Sequence, residues 1–318
     1  MAYIDVFNGD ADGICALHQL RLSNPVDSVL VTGVKRDISL LKRVTGGPGD
    51  EVTVLDISLD KNRDGLNRLL ERGARVQYID HHFPGEIPRH QNLSAIIDTA
   101  SDTCTSLLVD QQLDGRYRAW AVTAAFGDNL DESAARGAVP LGLEQGQLEQ
   151  LRQLGICINY NGYGATLDDL YFSPDALFRR LRPYPDPFEF ITHDDAFKSL
   201  RDGYADDMSK TQALIPTFES ARHALYVLPA EAWARRVSGV WGNHLAHSNP
   251  KRAHAVLTRR ADGGYVVSVR APLSNKTDAD ELCRQFPTGG GRKAAAGINN
   301  LPEDLYEQFA SSFKQIYG

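Results

Sequence analysis

The stretch Val76–Pro84, with the sequence VQYIDHHFP, joins a short apolar run to three chemically active side chains. Its first half is rich in the β-branched and aromatic residues that favour a strand. The run ends at Asp80, His81 and His82. A carboxylate followed by two imidazoles at a strand end raises the question of which ligand or reaction they serve.

The residues around this stretch alternate β-branched runs with amphipathic segments. The strand candidates are AYIDVF, VDSVLVTG, EVTVLDIS and RVQYID, and helical patterns separate them at Gly13–Leu22, Ile38–Val44 and Arg63–Arg72. A βαβα order predicts a mostly parallel sheet with helices on both faces. The fold class expected for the first part of the chain is therefore α/β.

The pattern changes toward the C-terminus. From Ala253, two strands, AHAVLTRR and GYVVSVRA, are joined by the turn ADGG, and a helix, a glycine run and a last helix follow. This order predicts a smaller C-terminal α+β domain. We expect a catalytic domain over residues 1–185, a connecting region over 186–249 and the second domain over 250–318.

Acidic and imidazole side chains of the first domain fall at the ends of the predicted strands, where open α/β sheets bind their ligands. Neighbouring parallel strands lie about 4.8 Å apart, so these groups can converge. Crowded carboxylates repel one another unless cations neutralise them, and carboxylates with imidazoles suit manganese, magnesium or zinc. A centre with two metal ions is the most economical interpretation. Its candidate residues are Asn8, Asp10, Asp12, Asp56, Asp80, His81, His82 and Asp128.

Each of these residues alone also has a structural explanation. Asp10 and Asp56 could simply cap the helices that follow them, and the paired histidines could be a structural pair. The segment NGDADG resembles the first half of an EF-hand loop, but its twelfth position is Gln19, where that loop needs a bidentate Glu. The joint placement at successive strand ends favours metal chemistry.

Composition restricts the class of protein. The chain has 318 residues, 42% of them hydrophobic and 24% charged. No apolar run approaches the roughly 20 residues of a membrane helix. The N-terminus, MAYIDVFNGDADG, lacks the basic lead-in of a signal peptide, so we expect a cytoplasmic protein with no membrane partner. The four cysteines are scattered without a CxxC pair and are expected to be buried thiols.

A basic, glycine-rich segment lies near the C-terminus. The formal net charge of −7 argues against nonspecific coating of nucleic acid, yet residues 251–297 contain nine Lys or Arg against four Asp or Glu. Within it, PTGGGRKAAAG offers backbone N–H groups and basic side chains to an anion, although a flexible loop is the alternative. The candidate substrate-binding residues are Arg270, Gly289, Gly290, Gly291, Arg292 and Lys293.

The motifs GDADG, LDIS, DHH, GDN and GGGRKAAAG, in this order, resemble those of the DHH phosphoesterases with a DHH-associated C-terminal domain, including the nanoRNase-like oligonucleotide phosphodiesterases. The resemblance covers nearly the whole chain. It implies two divalent ions, usually manganese with magnesium as the alternative, in a cleft closed by the smaller domain. The metal ligands that it implies are Asp10, Asp12, Asp56, His81 and Asp128, with Asp56 bridging.

The same resemblance assigns catalytic and substrate-binding roles. Asp80 would orient the cluster, and His82 would contact or protonate the reacting phosphate. The residues implied to hold the substrate are Arg270, Gly290, Gly291 and Arg292.

Two positions depart from the family pattern. The family commonly has a histidine two or four residues before the first motif's Asp, where this chain has Asn8 or Val6. An amide oxygen is a weaker ligand than imidazole for a transition metal. Arg292 stands where the glycine run normally ends in histidine. An arginine can pair with a phosphate through two hydrogen bonds, but it cannot give up and recover a proton near neutral pH.

The implied reaction is hydrolysis of a phosphodiester by water activated between two metal ions. Short oligonucleotides or dinucleotides are the expected substrates, since the family members that degrade long single strands carry extra domains; a long duplex is not expected. Aromatic residues for base stacking are available at Tyr160, Tyr163, Tyr265 and Phe286. Alternatives are a phosphoanhydride hydrolase acting on polyphosphate or pyrophosphate, and a non-catalytic nucleotide-binding protein. The oligomeric state stays open, with a homodimer as one option.

Overall fold

Five parallel strands form the first sheet, in the order β2-β1-β3-β4-β5. They are β1 (Tyr3–Phe7), β2 (Ser28–Val31), β3 (Glu51–Leu55), β4 (Arg75–Asp80) and β5 (Leu93–Ile97). Strand β3 pairs with both β1 and β4. The three strands that run into the candidate ligands are therefore direct neighbours.

Helices cover both faces of this sheet. Leu66 and Leu69 of α2 (Leu59–Glu71) share a buried cluster with Val54 and Tyr78 of the strands. Side chains alternate between the two faces along a strand. On the opposite face, Arg21 of α1 (Ala11–Ser23) pairs with Asp5 of β1 at 2.5 Å.

Seven more helices follow the sheet along the chain. They are α3 (Thr105–Gln112), α4 (Arg118–Gly127), α5 (Asp131–Ala138), α6 (Gln145–Gly162), α7 (Pro174–Leu181), α8 (Pro187–His193) and α9 (Asp195–Thr211). Short 3-10 helices lie at Leu40–Arg43, Val139–Leu141 and Leu167–Asp169. No helix of the structure combines the length and the apolar character needed to cross a lipid bilayer.

A six-stranded mixed sheet occupies the C-terminal part, in the order β10-β11-β9-β8-β7-β6. Strands β7 and β8 are parallel, and the other neighbours are antiparallel. The strands are β6 (Phe218–Glu219), β7 (His223–Leu228), β8 (Ala253–Arg259), β9 (Tyr265–Arg270), β10 (Gly289–Arg292) and β11 (Ala295–Leu301). The helices are α10 (Ala232–Ser248), α11 (Ala279–Arg284) and α12 (Tyr306–Tyr317), and a 3-10 helix spans Glu303–Leu305. The predicted fold class, a parallel α/β part followed by a smaller α+β part, is confirmed.

The computed structural model describes residues 1–318, and the chain divides into two compact units, Met1–Asp202 and Gly203–Gly318. The region 186–249, expected as a connection, contains α8, α9, β6, β7 and α10. One local prediction was wrong, because residues 38–44 form only a short 3-10 helix. The glycine run, for which a flexible loop was the alternative interpretation, is an edge strand, β10.

One prediction concerns the stability of the first unit and rests on His18 of α1. The ring is fully buried, with Nε2 2.9 Å from the carbonyl oxygen of Tyr184, and burial lowers its pKa from 6.5 to about 4. As the pH falls below about 6.5, the unfolded chain binds a proton that the folded chain excludes. The free energy of unfolding should therefore fall by about 2 kcal/mol between about pH 6.5 and pH 5 through this residue alone.

Urea unfolding of the wild type and of His18→Gln at these two pH values measures the effect. Glutamine can still donate a hydrogen bond to Tyr184 but does not titrate, so the variant should show the smaller pH dependence. An equal pH dependence in the two proteins would contradict the assignment.

Candidate metal centre

The carboxyl ends of β1, β3 and β4 bring acidic and imidazole side chains into one buried cluster. Asp56 follows β3, and His81 and His82 follow β4. The ligand atoms of these three residues lie within 4.8 Å of one another. Asp56 Oδ1 lies 3.4 Å from His81 Nε2 and 3.9 Å from His82 Nδ1.

His81 is oriented so that one ring nitrogen faces the carboxylates. Its Nδ1 lies 3.1 Å from the backbone carbonyl oxygen of Thr103, which can only accept a hydrogen bond, so Nδ1 carries a proton. In the neutral ring, Nε2 then holds a free lone pair. A carbonyl partner on the far nitrogen is the usual arrangement for a metal-ligating histidine.

Asp12 approaches the same nitrogen from α1. Its Oδ2 lies 3.9 Å from His81 Nε2. The Asp12 carboxylate also accepts hydrogen bonds from the backbone N–H groups of Thr105 and Ser106, each at 2.7 Å. These N–H groups belong to the first turn of α3, where the helix dipole favours a negative charge. Asp12 is thereby fixed in position.

Asp128 reaches the cluster from the end of α4. Its Oδ2 lies 3.9 Å from His81 Nε2. The approach depends on two glycines, because a Cβ at Gly127 would lie 2.5 Å from Ala11 Cβ and one at Gly155 would lie 2.0 Å from the Thr123 carbonyl oxygen. Helices α1, α4 and α6 therefore pack closely enough to bring the Asp128 carboxylate to the strand ends.

Asp56 carries the clearest sign of excess negative charge. Burial raises its pKa well above the usual value, and the charges of Asp10 and Asp12 raise it further. Its backbone adopts a left-handed conformation with φ 58°, which is uncommon outside glycine and is concentrated at functional sites. A buried group of carboxylates around one imidazole lone pair fits a divalent cation.

Asp10 makes contacts different from those of the other predicted ligands. Its Oδ1 caps α1 by accepting from the N–H groups of Asp12 and Gly13, each at 3.1 Å. Its Oδ2 accepts from the ammonium group of Lys35 at 2.5 Å. Lys35 was not among the residues predicted from the sequence, because its loop, VTGVKRD, contains no pattern that distinguishes it from a surface lysine.

Asn8 lies at the end of β1 with a buried side chain. Its Oδ1 has no hydrogen-bond partner, and its backbone N–H donates to the Leu55 carbonyl at 3.2 Å. Buried polar atoms normally have a partner. The amide oxygen of Asn8 is thus an orphaned acceptor.

Asp80 and His82 form a pair beside the cluster. Asp80 Oδ1 lies 2.7 Å from His82 Nδ1, and Asp80 is fully buried. Burial lowers the pKa of His82, but the hydrogen bond and the charge of Asp80 outweigh this effect, so the pKa lies above its usual value. The His82 side chain is 44% exposed, against 4% for His81. A ligand arriving from solvent can therefore reach His82.

The predicted substrate-binding residues all lie in the second unit. Arg270, at the end of β9, donates to Asn243 Oδ1 at 2.6 Å and to Ser268 Oγ at 2.9 Å. Gly289, Gly290, Gly291 and Arg292 form β10, and Lys293 follows it; Arg292 and Lys293 are exposed.

Packing explains two of the three glycines. A Cβ at Gly289 would lie 1.8 Å from the Cys283 carbonyl oxygen, and Gly291 has φ 140°. Gly290 has open space around it. The glycine run is therefore required in part by the fold of the β10–β11 hairpin.

Three of the four aromatic residues named for base stacking belong to the hydrophobic core. Tyr160, Tyr265 and Phe286 are at most 4% exposed. An aromatic residue that the sequence analysis did not single out, Phe83, is 74% exposed directly after His82. Large exposed aromatic side chains are candidates for contact with ligands.

Comparisons with known proteins give matches at the level of structure. No protein-family model matches the sequence, and no curated protein matches it. The crystal structure of the exonuclease RecJ bound to manganese has a TM-score of 0.63 and 17% identity, over 99% of this chain and 89% of that chain.

Two further solved structures match at similar levels. An exopolyphosphatase-related protein from Bacteroides fragilis has a TM-score of 0.55 and 15% identity, over 99% of this chain and 90% of that chain. The pGpG-specific phosphodiesterase PggH from Vibrio cholerae has a TM-score of 0.53 and 14% identity, over 99% of both chains. The chain therefore has the α/β fold of these structures, which is the fold implied by its resemblance to the DHH phosphoesterases.

Proposed function

We propose that this protein is a divalent-metal-dependent phosphodiesterase of the DHH type that hydrolyses short oligonucleotides or dinucleotides. The observation that carries the proposal is the environment of His81 Nε2, with oxygens of three carboxylates 3.4 to 3.9 Å away. The adjacent Asp80–His82 pair adds a group that can move a proton. A buried lone pair among carboxylates has no evident structural purpose.

The residues that would hold the ion are Asp12, Asp56, His81 and Asp128. Manganese is the ion that we propose, because mixed imidazole and carboxylate ligands suit it and the RecJ structure is bound to manganese. A bound divalent ion would supply Lewis-acid activation of water and neutralise charge on the phosphate. The sequence predicts two such ions.

The chain's own residues would orient the substrate and handle its proton. Asp80 holds the proton on His82 Nδ1, which leaves Nε2 for the substrate. We propose that His82 protonates the leaving oxygen as the phosphodiester bond breaks. The basic segment of the second unit, with Arg270, Arg292, Lys293 and the glycines of β10, is proposed to bind phosphate.

Two lines of support favour a nucleotide substrate. One solved structure with this fold is a pGpG-specific phosphodiesterase, and another is an exonuclease. The exopolyphosphatase-related protein favours the second candidate, hydrolysis of phosphoanhydrides such as polyphosphate.

A cytoplasmic location stays a prediction from the sequence.

Product analysis tests the proposal. Linear pApA, short RNA and DNA, cyclic dinucleotides and polyphosphate would be incubated with manganese or magnesium, and the products separated by ion-exchange chromatography. Release of nucleotide monophosphates supports the phosphodiesterase. Phosphate from polyphosphate alone supports the second candidate, and no turnover with either metal supports a non-catalytic nucleotide-binding protein.

A further prediction separates the two enzymatic candidates. Replacing the exposed Phe83 by alanine should raise KM for pApA by about 5-fold to 160-fold, because stacking of a base on an aromatic ring contributes about 1–3 kcal/mol. Any turnover of polyphosphate should stay unchanged, since polyphosphate has no base. Steady-state kinetics with both substrates measures the difference.

Ile87 provides the control for Phe83. It is 40% exposed in the segment that follows β4, so Ile87→Ala removes exposed apolar surface close by in the sequence. This variant should keep the wild-type KM for pApA. An unchanged KM in Phe83→Ala would exclude Phe83 as a stacking residue.

A further inference from the structure

The ammonium group of Lys35 lies inside the acidic cluster. Its Nζ is 2.5 Å from Asp10 Oδ2, 3.6 Å from Asp128 Oδ1 and 2.8 Å from Asn159 Oδ1. The Lys35 side chain is 21% exposed, and Asp10 is 3% exposed. A cation thus already stands between two of the residues predicted to bind metal.

The surrounding structure fixes Lys35 in this place. Its backbone N–H donates to the carbonyl oxygen of Gly162 at 2.8 Å, and its Nζ lies 5.5 Å from the centre of the Tyr163 ring. Gly162, at the end of α6, lies close to the loop after β1, because an added Cβ would be 3.0 Å from the Gly9 carbonyl oxygen. Hydrogen bonds therefore fix both the backbone and the ammonium group of Lys35. A surface lysine in a solvent-exposed ion pair is not fixed in this way.

The contacts divide the predicted ligands into two groups. Both oxygens of Asp10 are engaged, one with the N-terminus of α1 and one with Lys35. Asp128 faces both groups, since its Oδ1 approaches Lys35 and its Oδ2 approaches His81 Nε2. The carboxylates of Asp12 and Asp56 instead face the imidazole lone pair of His81, with oxygens 3.9 and 3.4 Å from its Nε2.

Charge supports the same division. Asp10, Asp12, Asp56 and Asp128 bring up to four negative charges, and Lys35 with one divalent ion brings three positive charges. A second divalent ion between Asp10 and Asp128 would stand beside the ammonium group and be repelled by it. An ammonium group also has no empty coordination position at which water can be activated.

We propose that the Lys35 ammonium group fills the cation position between Asp10 and Asp128, so that the chain binds one divalent ion. This ion would be held by His81, Asp56, Asp12 and the second oxygen of Asp128, Oδ2. This inference rests on the proposed function, because it concerns the same metal centre. It replaces the two ions predicted from the sequence with one ion and one built-in ammonium group. Lys35 acts as a positioning residue that holds the Asp10 and Asp128 carboxylates.

Manganese stoichiometry tests the proposal. The full-length chain would be dialysed against Mn²⁺, freed of unbound metal and analysed for manganese per chain, and electron paramagnetic resonance would show whether bound ions are isolated or coupled. The wild type should bind one isolated ion. Lys35→Met, which keeps the length of the side chain but removes its charge, should bind two coupled ions.

Lys42→Met is the matched control, because Lys42 is exposed in the same segment between β2 and β3. It should bind one ion. Two coupled ions in the wild type would overturn the proposed role of Lys35 but would leave the metal-dependent function standing. One ion in folded Lys35→Met would also overturn the role of Lys35. No bound manganese would overturn the proposed function together with this inference. If Lys35→Met fails to fold, the spectrum of the wild type decides.

Discussion

Replacing Asp56 by asparagine should reduce kcat/KM for pApA by at least about 10³-fold, a loss of about 4 kcal/mol of transition-state stabilisation. Asp56 Oδ1 is the carboxylate oxygen closest to His81 Nε2, at 3.4 Å. Asparagine has the same shape and can still accept the hydrogen bond that Thr105 Oγ1 donates at 3.2 Å. The change therefore removes charge and metal affinity with little change in packing.

The same substitution should raise the thermal stability of the metal-free protein. The pKa of Asp56 is raised above 3.8 in the folded state by burial and by the neighbouring carboxylates. The folded chain therefore binds this proton more tightly than the unfolded chain does, and the group increasingly disfavours folding as the pH rises above that value. Asparagine has no such charge, so a melting curve with a chelator at neutral pH should shift upward.

Asp64→Asn is the control for Asp56→Asn, because Asp64 is exposed on α2. It should keep both the activity and the manganese affinity of the wild type. Manganese affinity, measured by calorimetry, should fall by more than about 100-fold in Asp56→Asn. This loss is larger than the loss expected for a residue that only hydrogen-bonds to a metal ligand. Wild-type affinity and turnover in Asp56→Asn would exclude it as a ligand.

The parallel sheet could be predicted because its strands have a simple sequence pattern. β-branched runs in β1, β3 and β4 are followed directly by polar residues, and parallel pairing places the ends of neighbouring strands at one edge. Strand β5 was not predicted, because its first three residues, LSA, are not β-branched and none of its residues is fully buried. Its backbone pairing with β4 stabilises the strand, which its local sequence alone does not predict.

The immediate environment of the candidate ligands could not be predicted, because it depends on contacts between distant segments. Lys35 enters the cluster from the loop after β2, and Asn159 enters from α6. Neither residue differs in its local sequence from a surface residue. Similarly, the strand character of Gly289–Arg292 follows from pairing with β11, since glycine has no intrinsic preference for strands.

Replacing His82 by alanine should lower kcat for pApA by about 10² to 10⁴-fold, the usual contribution of a general acid. The buried Asp80 holds His82 Nδ1 at 2.7 Å, so the ring presents Nε2 to the substrate. Asp80→Asn should lower kcat in the same range, because an amide can donate to Nδ1 and stabilise the wrong tautomer. Steady-state kinetics with pApA measures both effects.

A substrate with a good leaving group distinguishes proton donation from metal binding by His82. Bis(p-nitrophenyl) phosphate releases a phenolate that needs no proton, so His82→Ala should lose far less activity on it than on pApA. His82→Ala should bind as much manganese per chain as the wild type does. If the variant instead loses a bound ion and loses activity equally on both substrates, His82 is a metal ligand. His90→Ala, at an exposed histidine in the segment between β4 and β5, should leave kinetics and metal content unchanged. The His82 side chain is 44% exposed and the His81 side chain is 4% exposed. We therefore expect the two adjacent imidazoles to have different roles, with His81 binding the ion and His82 donating a proton to the leaving oxygen.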